Sequence, residues 1–213
     1  MLEKLNLSYC RRLVEIHPSI GQLSKLRYLN MQYCYSLTNL PNMSTEMQFL
    51  TVLDFFYCSK INSFPKFTGI MKSLSELKLG WTTIKKVAPS SIECLTALTL
   101  LDLSSCRNLE CLPSNMHNLR SLERLNLSHC LKLKSLPRLP STIRYIDAKF
   151  CYSLKWSLAR VKLSSWSQPL SRWCLYDERG ILVKFKILFH FLQVICSLSL
   201  SLSLSLSLLN NNS

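Results

Sequence analysis

Between Leu2 and Leu154 one pattern, L-x-x-L-x-L-x-x-C-x-x-L-x-x-L-P, recurs seven times, with copies opening at Leu2, Leu26, Leu50, Leu74, Leu98, Leu122 and Ile143. The openings lie 24 residues apart five times and 21 apart once. A unit this short cannot bury its own apolar face, so the copies must stack and share one core. Within each copy the run x-x-L-x-L-x-x alternates with period two, which predicts a short strand with leucines inward, Leu98, Leu101 and Leu103 in the fifth copy. The chain then turns at Cys106, returns Leu109 and Leu112 to the core and meets Pro113, with equivalent prolines at Pro41, Pro65 and Pro137. Proline lacks a donor and resists continuing a strand, so the return through Met116 and Leu119 is expected to be irregular or a single helical turn.

The fold class these periods predict is α/β: a leucine-rich repeat solenoid, or horseshoe, with parallel strands on its concave face and irregular or short helical convex segments. Residues 1–154 form the seven repeats. The fourth copy loses one position at Trp81-Thr82-Thr83-Ile84 and regains it at Ala88, ahead of Pro89, Ile92 and Leu95, which predicts a local kink or altered loop. The first predicted strand begins next to Met1. An end repeat exposes its apolar flank, so a cap, further repeats or another domain are expected before Leu2, unless the chain is a truncated relative of a longer one.

Six of the ten cysteines, Cys10, Cys34, Cys58, Cys106, Cys130 and Cys151, fall eight residues after a copy opens, and Thr82 takes that place in the fourth copy. A small inward side chain there can hydrogen-bond the backbone turns of adjacent repeats, so these seven are expected to form an internal ladder of reduced thiols and one hydroxyl. With no C-x-x-C pair and no cysteine-pair cap, a reducing, cytoplasmic setting fits. Four N-x-[ST] sequons, at Asn6, Asn42, Asn126 and Asn211, raise a secreted alternative. No signal-peptide pattern or G-x-I-P turn accompanies them.

Composition excludes several chemistries. With only four glycines there is neither G-x-x-x-x-G-K-[ST] nor G-x-G-x-x-G. His17, His117, His129 and His190 occupy different repeat positions, and no H-E-x-x-H or G-x-S-x-G occurs. No catalytic residue, metal site or cofactor is expected. The net charge of +14 invites a nucleic-acid reading. The outward strand-face positions nevertheless balance, with Lys4, Arg27, Lys78, Arg124, Arg144 and Lys149 against Glu3, Asp54, Glu76, Asp102, Glu123 and Asp147. The excess sits on turns and the convex side, at Arg11, Arg12, Lys60, Lys85, Lys86, Arg107, Lys132 and Lys134. A nucleic-acid reader needs one continuous basic track, so no nucleic-acid partner is expected.

Protein recognition is the remaining expectation. One outward column runs Tyr9, Tyr33, Tyr57, Trp81, Ser105, His129, Phe150, and another Asn6, Asn30, Asp54, Lys78, Asp102, Asn126, Asp147. Tyrosine and tryptophan are enriched among interface anchors, which nominates Tyr9, Tyr33, Asp54, Tyr57, Lys78, Trp81 and His129 as partner-binding residues. The competing reading has the tyrosines packing on one another over the ladder cysteines.

Beyond Leu154 the repeat stops. Residues 155–180 carry Trp156, Trp166 and Trp173 without clear periodicity, and 181–213 are an apolar stretch followed by six Ser-Leu pairs and three asparagines. A CT dinucleotide tract translates as alternating Leu and Ser, so the tail reads as an untailored low-complexity segment. Residues 187–209 are long enough to cross a bilayer, which keeps a membrane-anchored repeat protein as an alternative. The serines and the absence of a basic flank weigh against it.

The motif L-x-L-S-x-C-x-x-L-x-x-L-P (Leu101 to Pro113, Leu125 to Pro137), the variant T-x-I-x-x-V-A-P-S-S-I (Thr82 to Ile92) and the closing L-P-S-T-I-R-Y-I-D-A-x-x-C-x-S-L (Leu139 to Leu154) resemble the repeats of plant TIR-type nucleotide-binding disease-resistance proteins. The resemblance covers residues 1 to about 180, and it implies that 155–180 begin the β-sandwich domain that often follows the repeats there. It further implies a non-enzymatic recognition role in plant innate immunity, the partner being a pathogen effector, a host protein altered by one, or the nucleotide-binding domain of a full-length relative. Neither that domain nor the NAD-consuming TIR domain is represented here.

Overall fold

The structure, a computed structural model, describes residues 2–154. The segments 155–180 and 181–213, with the β-sandwich and membrane-span expectations placed on them, lie outside the described residues.

Seven three-residue strands form a single sheet: β1 (Lys4–Asn6), β2 (Tyr28–Asn30), β3 (Val52–Asp54), β4 (Glu76–Lys78), β5 (Leu100–Asp102), β6 (Arg124–Asn126) and β7 (Tyr145–Asp147). They lie side by side in chain order, every pair parallel. The register repeats the sequence ruler, Leu5 beside Leu29 and Leu77 beside Leu101, down to the shortened last step that sets Leu125 beside Ile146. The shape follows from that ruler. Equal spacing brings each copy back to the same place one strand further on, and parallel strands demand a crossover, which the return segment supplies.

The central strand residues, Leu29 to Ile146, are buried, and with Leu26, Leu50, Leu74, Leu98 and Leu122 they line one continuous core. Leu109, Leu112, Met116 and Leu119 close it from the opposite side. The return segments are mostly irregular. Helical turns occur at Pro18–Gln22 and Ser114–Asn118, both 3-10, and at α1, Pro89–Glu93. Each follows or contains the proline position, where a missing N–H costs nothing in a first helical turn.

The fourth copy departs from its neighbours as its spacing predicts. Ile84 and Val87 are buried one position early, and Pro89 restores the register, Ser91 Oγ donating to Pro65 O at 3.1 Å. Ala88 is the extra residue and is exposed. Gly80, just before the turn, is needed for space. A Cβ there would lie 2.6 Å from the Phe56 ring and 2.7 Å from Ser104 Oγ.

Candidate functional site

The turn after each strand follows one recipe. The last strand residue reaches forward with its side-chain oxygen to the N–H two residues on: Asn6 to Ser8 (3.0 Å), Asn30 to Gln32 (2.9 Å), Asp54 to Phe56 (3.0 Å), Asp102 to Ser104 (2.8 Å), Asn126 to Ser128 (3.1 Å) and Asp147 to Lys149 (3.0 Å). These are Asx turns, in which a short side chain imitates a backbone carbonyl. The column that holds the nominated Asp54 and Lys78 is therefore, Lys78 apart, occupied in shaping the turn. Lys78, the one non-Asx member, pairs instead with Glu76 at 2.9 Å.

One nominated residue needs correction on this account. Asp54 does not face solvent. It is buried, and besides Phe56 N its carboxylate accepts Gln32 Nε2 at 2.6 Å, with Lys78 Nζ at 4.0 Å. Lys78 is half-buried and held by two carboxylates. Burial pushes Asp102 above the usual carboxylate range, its bonds from Ser104 opposing that shift in part.

Three residues past each strand, Tyr9, Tyr33, Tyr57, Trp81, Ser105, His129 and Phe150 all have φ between 55° and 64°. They sit in the turn, not on the strands where the sequence placed them, and left-handed backbone is costly for side chains of this size. The neighbouring repeat compensates. Tyr9 N donates to Gln32 O (2.8 Å), Tyr33 N to Phe56 O (2.9 Å), Trp81 N to Ser104 O (2.7 Å) and His129 N to Lys149 O (2.7 Å), extending the sheet ladder through the strained residue.

That backbone aims the rings along one line. Tyr9, Tyr33, Tyr57 and Trp81 stack with centroids 4.6, 5.0 and 4.5 Å apart, and Arg107 lies over the Trp81 ring at 5.4 Å. Ser105, buried, interrupts the row. Beyond it His129 stacks on Phe150 at 4.5 Å. The rings pack on one another, as the competing sequence reading has it, while Tyr9 and His129 remain exposed and Tyr33, Tyr57 and Trp81 keep half-buried edges.

Behind the rings runs the cysteine ladder. Cys34 Sγ donates to Leu7 O (3.2 Å), Cys58 to Met31 O (3.0 Å), Cys106 to Leu79 O (3.3 Å), Cys130 to Leu103 O (3.1 Å) and Cys151 to Leu127 O (3.0 Å), each in the preceding repeat. Thr82 instead serves the Leu79 carbonyl of its own turn at 2.8 Å and meets Cys106 Sγ at 3.3 Å. Cys10 departs from the inward expectation: it is exposed, and no described turn lies before it to accept its thiol.

Burial pushes the Cys58 thiol up to about 12 and the Cys106 thiol up to about 11. Its hydrogen bond with Cys151, followed by burial, raises Cys130 as well. Thiolate is the reactive form, so these groups are inert at neutral pH. Alkylation of the native protein near pH 8, mapped by mass spectrometry, is expected to label the exposed Cys10 and Cys111, while Cys34, Cys58, Cys106, Cys130 and Cys151, all buried, react only after denaturation. A disulfide among those five would overturn the ladder.

Among the described residues no group of His, Cys, Asp and Glu could hold a metal ion, and no helix is long and apolar enough to cross a membrane. Along the sheet flank, charges meet in pairs between repeats, Glu3 with Arg27 at 3.7 Å and Glu123 with Arg144 at 3.6 Å.

The Leucine Rich Repeat family pattern matches residues 1–23, and the six following strands repeat that unit in register. This is a leucine-rich repeat solenoid. Among solved structures it is similar to a leucine-rich repeat protein of Leptospira interrogans, with 19% identity and a TM-score of 0.43 over 84% of this chain and 55% of that one. The chain thus spans little more than half the length of that protein. No curated protein matches it.

Proposed function

We propose that the solenoid is a non-enzymatic protein-recognition module, working in plant innate immunity as the sensor part of a disease-resistance receptor. The carrying observation is the row Tyr9, Tyr33, Tyr57, Trp81 with Arg107 at its end, a rigid strip of rings beside the sheet. Rings already stacked lose little freedom on binding, and Tyr, Trp and Arg are the side chains that most often dominate interfaces. The neutral, ion-paired sheet flank also suits a mixed protein surface better than a polyanion. The plant-defence setting rests on the repeat subtype, chiefly Thr82 to Ile92 and Leu139 to Leu154. On that reading the partner is a pathogen effector or the host protein it alters, and docking onto a nucleotide-binding domain would hold such a receptor inactive.

The test is affinity capture from plant extract with the wild-type chain and a variant carrying Tyr33→Gly, Tyr57→Gly and Trp81→Gly. Glycine is chosen because it adopts the left-handed backbone of these positions without strain. With circular dichroism showing both proteins folded, the variant is expected to lose the partners that the wild type retains. Identical partner lists would remove the ring row from the binding surface.

A further inference from the structure

On the side opposite the sheet, two pairs of adjacent return segments are tied by short backbone bridges. Met43 pairs with Phe67 between the second and third repeats, and Lys86 with Cys111 between the fourth and fifth. Between the third and fourth, no backbone hydrogen bond joins residues 62–68 to 84–90 among the described residues. The two repeats are joined instead at either end, by Thr83 N and Oγ1 to Ile61 O at 2.8 and 2.9 Å and by Met71 N to Cys94 O at 2.8 Å, with side-chain bonds from Ser91 Oγ to Pro65 O and Cys94 Sγ to Phe67 O.

The sequence also slips here. The lost position at Trp81–Ile84 and the regained one at Ala88 put Lys85 to Val87 one step out of register with Asn62 to Phe64. Pro65 and Pro89 have no N–H with which to bridge the gap. A groove of about 780 Å³ lies between the two segments. Phe64 and Val87 are buried in its floor, the Phe67 ring stands edge-on to Phe64 at 6.5 Å, and Lys66, Lys85 and Lys86 rise exposed from its walls. None of the three ammonium groups has an ion-pair partner among the described residues, whereas Lys78 and Lys134 do. The acid next along the chain, Glu93, accepts Asn115 Nδ2 at 3.3 Å on the side of the fifth repeat.

We propose that this groove docks an extended acidic segment of a partner polypeptide, its carboxylates pairing with Lys66, Lys85 and Lys86 while an apolar side chain rests on Phe67. Three uncompensated positive charges around an apolar floor select that chemistry. Like charges held together repel, and an anion relieves them, while the aromatic floor rewards a partner carrying apolar side chains between its acids. The inference stands apart from the ring row and does not depend on it.

The test uses the full chain and a fluorescein-labelled peptide, Glu-Leu-Glu-Glu-Leu-Glu-Glu-Leu-Glu, followed by anisotropy. One variant carries Lys66→Glu, Lys85→Glu and Lys86→Glu. A second makes the same charge change elsewhere, at Arg12→Glu, Arg120→Glu and Arg138→Glu, all exposed. The groove variant is expected to lose about tenfold or more in affinity and the control less than about threefold, with binding weakened between about 50 and about 300 mM salt. Should the triple glutamate protein fail to fold by circular dichroism, Lys85→Gln with Lys86→Gln replaces it, with a loss of about threefold or more expected. Equal losses in groove and control variants would reduce the effect to net charge and overturn the proposal. So would equal binding of the peptide with Gln for Glu, or a single-stranded oligonucleotide that binds as tightly with the same lysine dependence.

Discussion

Leu101→Ala is expected to cost about 2 to 5 kcal/mol of unfolding free energy, the usual range for a buried leucine cut to alanine. Leu101 is the middle residue of β5, fully buried, with Leu77 and Leu125 beside it in register. The lost methyls leave a cavity that a stack cannot close, because each repeat is held at the strand spacing by the ladder on both sides. Total stabilities of about 5 to 15 kcal/mol make such a loss a large share of the whole. Leu5, at the same position in β1, is only half-buried, so Leu5→Ala should cost clearly less. Urea denaturation followed by circular dichroism measures both. Equal midpoints for Leu101→Ala and the wild type would mean that the inward register is wrong.

Asp54→Ala is the second large effect, expected at about 1 to 3 kcal/mol, because it strands part-buried groups around a buried carboxylate without replacing their partner. One carboxylate oxygen holds Phe56 N at 3.0 Å, and the other holds Gln32 Nε2 at 2.6 Å with Lys78 nearby. Asp54→Asn keeps an oxygen for Phe56 N and should recover much of the loss. The same denaturation series separates the two. A stable Asp54→Ala protein that no longer captures its partner would return Asp54 to the recognition surface, whereas a destabilised one assigns it to the turn.

The sheet was legible because apolar spacing at 24 residues leaves one register in which Leu29, Leu53, Leu77, Leu101 and Leu125 share a face. The prolines marked where each return begins but not which returns are helical, since those after Pro41, Pro65 and Pro137 are irregular. The turn was harder. Left-handed backbone is normally announced by Gly or Asn, and here Tyr, Trp, His and Phe occupy it, held by hydrogen bonds from the next repeat that no single copy reveals. A signal for the Asx turns was present: the column Asn6, Asn30, Asp54, Asp102, Asn126, Asp147 keeps one short acceptor chemistry, which a variable binding surface would not require. Lys78 drew attention as a charge when it was the exception to that rule. At the fourth copy the spacing disclosed the slip but not the groove, since the gap depends on what the third repeat fails to reach across.

Ser105 gives the ring row a seam. It has the same left-handed backbone as its column neighbours but no ring, so Trp81 ends one strip against Arg107 while His129 and Phe150 form a separate pair. A substitution that alters contacts at Tyr33 can spread through Tyr9, Tyr57 and Trp81 by stacking, yet it has no ring through which to reach His129. The two strips can therefore change independently, so that one chain could gain or lose a contact at either end without renegotiating the other.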